Sequence, residues 1–129
     1  MTPARILIVD DEEEIVRLLA RRLRRQRYQV ITATEASQAL VWLQEAEFDA
    51  AILDFMLPGM SGLELAKQCR ARYPGLKILI LTGSPIIAEI EAAGIPCLRK
   101  PLQDLQDLDV AIEQLLAPAS KERIEGEQR

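Results

Sequence analysis

Short apolar runs alternate along the chain with longer segments in which apolar residues recur at helical spacing. Such runs are typical of strands buried in a parallel sheet, and the longer segments of the amphipathic helices that cover it. The third and fourth runs, AAILD and KILILT, are the most apolar and predict central strands. The predicted strands lie near Ile6–Val9, Gln29–Ala33, Ala50–Asp54, Lys77–Thr82 and Ile95–Leu98.

A segment of helical periodicity follows each strand. The third helix starts at an S-x-x-E capping box formed by Ser61 and Glu64, and Tyr73-Pro74-Gly75 ends it. The fourth helix is short, and Gly94 closes it. The first, second and fifth predicted helices are Glu12–Arg25, Ala36–Ala46 and Asp104–Leu116, and the short fourth helix is Ile86–Ala92.

This alternation predicts a single α/β domain. Five strand–helix units in 129 residues favour a flavodoxin-like (βα)5 three-layer sandwich, with a five-stranded parallel sheet of order 2-1-3-4-5. A site is then expected at the carboxyl ends of strands 1 and 3, which are neighbours in that order. We predict that the domain spans residues 1–117 and that residues 118–129 are a polar tail or the start of a linker.

Composition narrows the chemistry. With no histidine in the chain, histidine-dependent catalysis and histidine-ligated metals are excluded. Cys69 and Cys97 lack the C-x-x-C spacing of a redox pair or zinc site. A net charge of -4 argues against nucleic-acid binding by the domain. No apolar run approaches the roughly 20 residues of a membrane helix, and Met1–Arg5 does not resemble a signal peptide, so a cytoplasmic location is expected.

Carboxylates gather at the predicted site. Asp10 and Asp11 follow strand 1, and Asp54 ends strand 3. Their mutual repulsion calls for a hard divalent cation, and Mg²⁺ suits a partly hydrated site with few carboxylates. Taken singly, Asp11 is as well explained as a helix cap and Asp54 as a strand end, but the three together favour a metal site. Thr82 and Lys100, at the ends of strands 4 and 5, add a hydroxyl and a charge suited to a phosphoryl oxygen.

Four motifs resemble the signature of response-regulator receiver domains over about Arg5–Leu116. They are the acidic pair after strand 1, D-F-M-L-P-G-M-S-G from Asp54, L-T-G-S from Leu81, and L-R-K-P from Leu98. Their combination is highly specific, whereas each alone is weak. The resemblance implies a two-component signalling protein that is switched by phosphorylation.

The resemblance also implies residue roles. Asp54 would be the phosphoacceptor, and Asp11, Asp54 and the backbone carbonyl of Met56 would hold Mg²⁺, with Asp10 helping through water. The residues that would lie around the phosphoryl group are Thr82, Gly83 and Lys100, and the Lys100-Pro101 bond is a candidate cis peptide. An ionised carboxylate needs no general base to attack phosphorus. The phosphodonor must be external, either a partner's phosphohistidine or a small phosphodonor, so the chain is expected to be a self-catalysed switch rather than a metabolic enzyme.

The sequence departs from this family at its output side. Cys97 stands three positions before the lysine, where receiver domains usually carry an aromatic switch residue. Thr82 and Lys100 are closer than the family pattern suggests, in keeping with a short fourth helix. Gly83 replaces a common alanine and is expected to loosen the adjacent loop. We therefore expect an altered output face built from helix 4, strand 5 and helix 5.

The arginine-rich first helix has two interpretations: a docking face for a histidine kinase or phosphotransfer protein, or an ordinary solvated face. A homodimer is a further expectation. Two functional alternatives remain. One is a receiver-like interaction module that no longer cycles phosphate. The intact acidic residues, Thr82 and Lys100 count against this alternative, and the altered Cys97 region keeps it open. The other is an aspartyl phosphohydrolase, which is disfavoured because Met56 stands where the general acid would be.

Overall fold

A computed structural model describes residues 2–83 and 87–118 of the protein. Ser84 of the L-T-G-S motif, Ile86 at the predicted start of helix 4, and residues 119–129 lie outside the described residues. The strands and helices, in chain order, are β1 (Arg5–Val9), α1 (Glu13–Arg25), β2 (Gln29–Ala33), α2 (Ala36–Glu45), β3 (Ala50–Asp54), α3 (Gly62–Arg72), β4 (Lys77–Thr82), α4 (Ile87–Ala92), β5 (Cys97–Arg99) and α5 (Leu105–Leu116).

The five strands form one parallel sheet in the order β2-β1-β3-β4-β5, which confirms the predicted topology. Val9 at the end of β1 lies opposite Leu53, one residue before the end of β3. Asp54 in turn lies opposite Leu81, one residue before the end of β4. Because parallel strands end at one edge of a sheet, this register brings the residues that follow β1, β3 and β4 together.

Helices cover the sheet on both faces. One apolar cluster joins Leu19 and Leu23 of α1 to Leu108 and Ile112 of α5 over one face. The other cluster joins residues of α2, α3 and α4 over the opposite face, among them Leu65. Every residue of β3 is buried, as its apolar sequence predicts for a central strand. The result is the predicted three-layer sandwich.

The ends of the elements agree with the sequence to within one residue, except at the start of β5, which differs by two. The predicted strand Ile95–Leu98 is wrong at its start, because the observed strand runs from Cys97 to Arg99. Ile95 instead donates its backbone N–H to Ile90 and so closes α4, while Pro96 has no N–H to donate to the sheet. Gly94, in the left-handed conformation at φ +77°, ends the short α4 as predicted.

The start of α3 is built as predicted. Ser61 Oγ accepts from the Glu64 backbone N–H at 3.1 Å, and the Glu64 carboxylate accepts from the Ser61 N–H at the same distance. This capping box fixes the helix that follows the β3–α3 loop. Within residues 2–83 and 87–118, no helix has the length and apolar character needed to cross a membrane.

Candidate functional site at the carboxyl edge of the sheet

Asp10 is held in place directly after β1. Its backbone N–H donates to the Ala33 carbonyl of β2 at 3.1 Å, and its carboxylate accepts the Glu12 backbone N–H at 2.9 Å. The residue is almost fully buried. These two bonds therefore fix the position of the Asp10 carboxyl group at the edge of the sheet, where Asp54 lies beside it.

Asp54 ends β3 and is also buried. The next residue, Phe55, donates its N–H to the Leu81 carbonyl at 2.8 Å, so the chain stays paired with β4 one step beyond the acidic residue. Burial, and then the charge of Asp10, raise the pKa of the Asp54 carboxyl to about 6, although Lys100 and a backbone bond from Met56 oppose the shift. Asp54 thus remains mostly ionised at neutral pH.

Lys100 extends its ammonium group into the same site. Its Nζ lies 3.1 Å from Asp10, 3.3 Å from Asp54 and 2.9 Å from Glu12. Burial disfavours the charge, but the contacts with Glu12 and Asp10 outweigh burial and raise the pKa of Lys100 above its usual range. The Lys100 backbone N–H donates to the Thr82 carbonyl at 2.8 Å, which ties the end of β5 to the end of β4.

The remaining predicted site residues lie around this centre. Thr82 is fully buried at the end of β4. Gly83 has room for a methyl group, since an added Cβ would lie 3.6 Å from the Lys100 carbonyl oxygen. The Lys100-Pro101 peptide is cis, as the sequence predicted.

Three carboxylates are placed to hold a cation. Asp10, Asp11 and Asp54 each offer an oxygen, and these oxygens lie within 4.8 Å of one another. Asp10 and Asp54 are buried and Asp11 is exposed, so one side of the cluster is open to water. This donor set fits Mg²⁺, which prefers a few carboxylates and keeps part of its water shell. The Met56 side chain is 66% exposed, in keeping with a role for its backbone rather than its thioether.

Gly62 lets α3 approach the acceptor strand. An added Cβ there would overlap the backbone oxygen of Asp54 and lie 2.9 Å from both the Asp54 carbonyl carbon and the Phe55 Cα. The Gly62 N–H donates to the Phe55 carbonyl at 2.7 Å. Only a glycine fits this contact, which explains the last residue of the D-F-M-L-P-G-M-S-G motif in physical terms.

Sequence reasoning missed Glu12, which was assigned only to the start of helix 1. In the structure Glu12 precedes α1 as its N-cap residue, and its carboxylate contacts Lys100. A signal was present in the sequence, because glutamate is not among the residues preferred at an N-cap. An unfavourable capping residue beside an acidic pair indicates that its side chain serves another purpose.

The output side contains the predicted irregularities. Cys97 opens the three-residue strand β5 and is partly buried. Burial, followed by the charge of Glu91, raises the pKa of its thiol, so Cys97 is not an activated nucleophile. Arg70 of α3 donates to the carbonyls of Ala93 and Gly94 just after α4 and thereby links the two helices.

The arginines of α1 differ in what they contact. Arg22 makes a two-pronged contact with Asp109 of α5 at 3.0 and 2.6 Å. Arg24 donates to the Val30 carbonyl of β2. Arg21 and Arg25 are exposed, with no side-chain hydrogen bond or ion pair to the rest of the described chain. Only part of the arginine cluster is therefore free to meet a partner.

A sequence model of the response regulator receiver domain matches residues 6–113, and the chain belongs to that family. Members of this family act in two-component phosphorelay signalling and are generally not catalytic enzymes. The chain is 34% identical over 103 residues to the probable transcriptional regulatory protein TcrX of Mycobacterium tuberculosis, covering 77% of this chain and 44% of TcrX. It is 45% identical over 78 residues to the alkaline phosphatase synthesis transcriptional regulatory protein PhoP of Bacillus subtilis, covering 60% and 32%. The chain thus spans less than half the length of these relatives.

Solved structures agree with this assignment. A CheY-like receiver domain protein from Methanospirillum hungatei superimposes with a TM-score of 0.85 at 31% identity, covering 94% of this chain and 99% of that one. The response regulator TrrA from Thermotoga maritima, solved in complex with Mg²⁺-BeF, gives a TM-score of 0.79 at 31% identity, covering 88% and 99%. Both likenesses extend over nearly the whole described domain.

Proposed function

We propose that this receiver domain accepts a phosphoryl group on Asp54 from the phosphohistidine of a histidine kinase or phosphotransfer protein, and that the modification switches an output interaction. The observation that carries the proposal is the position of Lys100 Nζ, within 3.3 Å of both Asp10 and Asp54. A buried cation between two buried carboxylates on adjacent strands is suited to receiving the negative oxygens of a phosphoryl group.

The chemistry follows from the protonation state of Asp54. With a pKa of about 6, its carboxylate is mostly ionised at neutral pH and can attack phosphorus without a general base. The P–N bond of the phosphohistidine breaks as a P–O bond to Asp54 forms, and the histidine ring nitrogen leaves with the electron pair. Lys100 neutralises the phosphoryl oxygens, and water later hydrolyses the acyl phosphate. Asp10, Asp11, Asp54 and the Met56 carbonyl would hold Mg²⁺, which when bound supplies charge neutralisation.

A phosphodonor assay tests the assignment of Asp54. Incubation with acetyl phosphate and Mg²⁺ is expected to add the mass of one phosphoryl group to the wild-type protein and none to Asp54→Asn. Asp49→Asn is the matched control, because Asp49 precedes the same strand at the opposite edge, where its carboxylate accepts the Arg5 N–H. Phosphorylation of the Asp54→Asn variant, or none of the wild type, would contradict the proposal.

A phosphate-independent interaction module is the second candidate, and the absence of the usual aromatic residue at Cys97 favours it. The two candidates differ in what the phosphoryl mimic beryllofluoride does. A phosphorylation switch is expected to change its oligomeric state or partner affinity when beryllofluoride and Mg²⁺ bind. A phosphate-independent module would keep the same partner affinity with and without the mimic.

The proposed partner contact uses the exposed part of α1. Arg21 and Arg25 are the suitable pair for charge reversal, because Arg24 is engaged with β2. We expect Arg21→Glu/Arg25→Glu to slow transfer from a kinase or phosphotransfer protein while acetyl phosphate still modifies Asp54. Equal rates from the protein donor would support the solvated-face interpretation.

The wider setting is also proposed. Residues 1–117 form the receiver domain, and residues 118–129 continue as a tail or linker. The domain works in the cytoplasm, forms a homodimer when switched, and does not itself bind nucleic acid. Gel filtration with and without beryllofluoride tests the homodimer, and an unchanged elution volume would argue against it.

A further inference from the structure

All three N–H bonds of the Lys100 ammonium have a carboxylate partner. Nζ lies 2.9 Å from Glu12, 3.1 Å from Asp10 and 3.3 Å from Asp54. An ammonium group has three donors and no acceptor. If Lys100 is to bind an oxygen of a phosphoryl group on Asp54, one of these contacts must first be given up.

The three carboxylates differ in how easily they can leave. The side chain of Asp10 is 2% exposed and that of Asp54 6%, whereas that of Glu12 is 59% exposed. Asp10 is further fixed by the backbone N–H of Glu12, and Asp54 is the proposed acceptor itself. Glu12 can turn into water with little loss of solvation, so its contact is the one that breaks at least cost.

The Glu12 side chain has no other role among the described contacts. Glu12 is the N-cap residue of α1, but its carboxylate makes no capping hydrogen bond. Serine, threonine, aspartate and asparagine cap helices better, and any of them could satisfy the free N–H groups of the first turn. The chain has a poor cap at this position and a carboxylate that reaches Lys100.

We propose that Glu12 is a positioning residue for phosphoacceptance, which holds and neutralises Lys100 while Asp54 is unmodified and gives way when a phosphoryl oxygen takes its place on Nζ. This inference rests on the proposed function of Asp54. Glu12 forms and breaks no covalent bond. Because it competes with the phosphoryl group for the same N–H, its contact weakens the binding of a phosphoryl group or its mimic.

The test is a titration of the folded protein with beryllofluoride at saturating Mg²⁺, followed by ¹⁹F NMR. An exposed ion pair has a modest strength, so Glu12→Gln is expected to bind beryllofluoride about 2- to 5-fold more tightly than wild type. Glu13→Gln is the matched control, since Glu13 is the next residue, carries the same charge and lies 3.8 Å from Arg17 instead of Lys100. Its affinity is expected to equal that of wild type. Equal affinities for Glu12→Gln and Glu13→Gln would overturn the inference.

Glu12→Asp separates the contact from the charge. The shorter carboxylate keeps the negative charge but is suited to cap α1, so it is expected to release Lys100 and to bind beryllofluoride more tightly than wild type. An affinity equal to wild type would overturn the proposed contact.

Titration with Mg²⁺ alone gives a second readout. Glu12→Gln removes a negative charge near the cation, so its Mg²⁺ affinity is expected not to rise. A parallel rise in the affinities for Mg²⁺ and beryllofluoride would indicate a general rearrangement and would also overturn the inference. Failure of the wild-type protein itself to bind beryllofluoride would instead contradict the proposed function.

Discussion

The acceptor edge is the carboxyl edge of the sheet, where Asp10 directly follows β1 and Asp54 ends β3. Both strands lie in the middle of the sheet and have a neighbouring strand on each side. On the output side, which comprises α4, β5 and α5, the edge strand β5 has three residues and α4 has six, and Cys97 is only partly buried. Atoms that perform chemistry are fixed by central strands, whereas a surface built from an edge strand and a short helix can change without moving them. Cys97 and the short α4, two of the three departures from the family pattern, lie on the second kind of surface, whereas Gly83 follows β4 beside Lys100.

The largest effect is expected from a methyl group placed against the acceptor strand. In Gly62→Ala the new Cβ would overlap the backbone of Asp54, so α3 or the β3–α3 loop must move. We expect a loss of about 3 kcal/mol or more in the free energy of unfolding and loss of phosphoryl uptake. Urea denaturation and the acetyl phosphate assay measure the two effects.

The control for this substitution is Gly75→Ala, in the turn after α3, where an added Cβ has nothing within 4 Å. Its stability is expected to match that of wild type or to rise slightly, by up to about 1 kcal/mol. Equal stabilities of the two alanine variants would show that the acceptor edge tolerates an added methyl group and is not tightly constrained.

The next effect comes from the electrostatic strain of the acceptor edge. The folded state raises the pKa of Asp54 from 3.8 to about 6, so it binds the proton more tightly than the unfolded chain does. The stabilisation from Asp54 is therefore present below pH 3.8 and is lost as the pH rises through about 6. In the absence of divalent ions, Asp54→Asn should be more stable than wild type by about 2 kcal/mol at pH 7, with little difference at pH 3.5.

Urea denaturation at the two pH values checks this prediction. Asp49→Asn, at the opposite edge of the sheet, is expected to show no gain at pH 7, since its carboxylate accepts a backbone N–H from Arg5. If Asp54→Asn and wild type lost the same amount of stability between pH 3.5 and 7, ionisation of Asp54 would not be the cause of the loss, and the prediction would be wrong.

The same contrast explains what the sequence could predict of the fold. The central strands β3 and β4 were found within a residue, because continuous apolar runs such as KILILT have few other uses in a chain of this size. The start of β5 was wrong because Ile95 is apolar but closes a helix, and only the backbone shows where its N–H goes. Periodicity therefore predicts the buried centre of this sheet better than its edge.

For the site, the sequence predicted which strand ends would meet but not the contacts between them. The acidic pair and Asp54 could be placed together because strand order brings their strands side by side. The contact between Glu12 and Lys100 joins residues 88 positions apart and depends on side-chain reach, which spacing does not encode. The two-pronged contact of Arg22 with Asp109 was missed for the same reason.

A smaller effect is expected on the output side, at the link between α3 and α4. Arg70→Ala removes two donors from the carbonyls that follow α4, Ala93 and Gly94, and is expected to cost about 1 kcal/mol. Hydrogen exchange of the α4 amides should accelerate while phosphoryl uptake by Asp54 stays at the wild-type level. Arg72→Ala is the control, because Arg72 is exposed and has no hydrogen bond or ion pair within the described part of the chain. A loss of phosphoryl uptake in Arg70→Ala would show that the two regions are coupled.

The smallest effect is expected from restoring the aromatic residue on the output side. Cys97 lies on the edge strand, is only partly buried and packs at the margin of the apolar cluster under α3 and α4, so a ring at this position has room to extend towards solvent. We expect Cys97→Tyr to change the free energy of unfolding by less than about 1 kcal/mol and to leave phosphoryl uptake unchanged. Cys97→Ala controls for loss of the thiol alone. A beryllofluoride-dependent change in oligomeric state in the tyrosine variant alone would show that the missing ring is what prevents the acceptor edge from signalling to the output side. A large loss of stability would instead show that the edge of this sheet is packed as tightly as its centre.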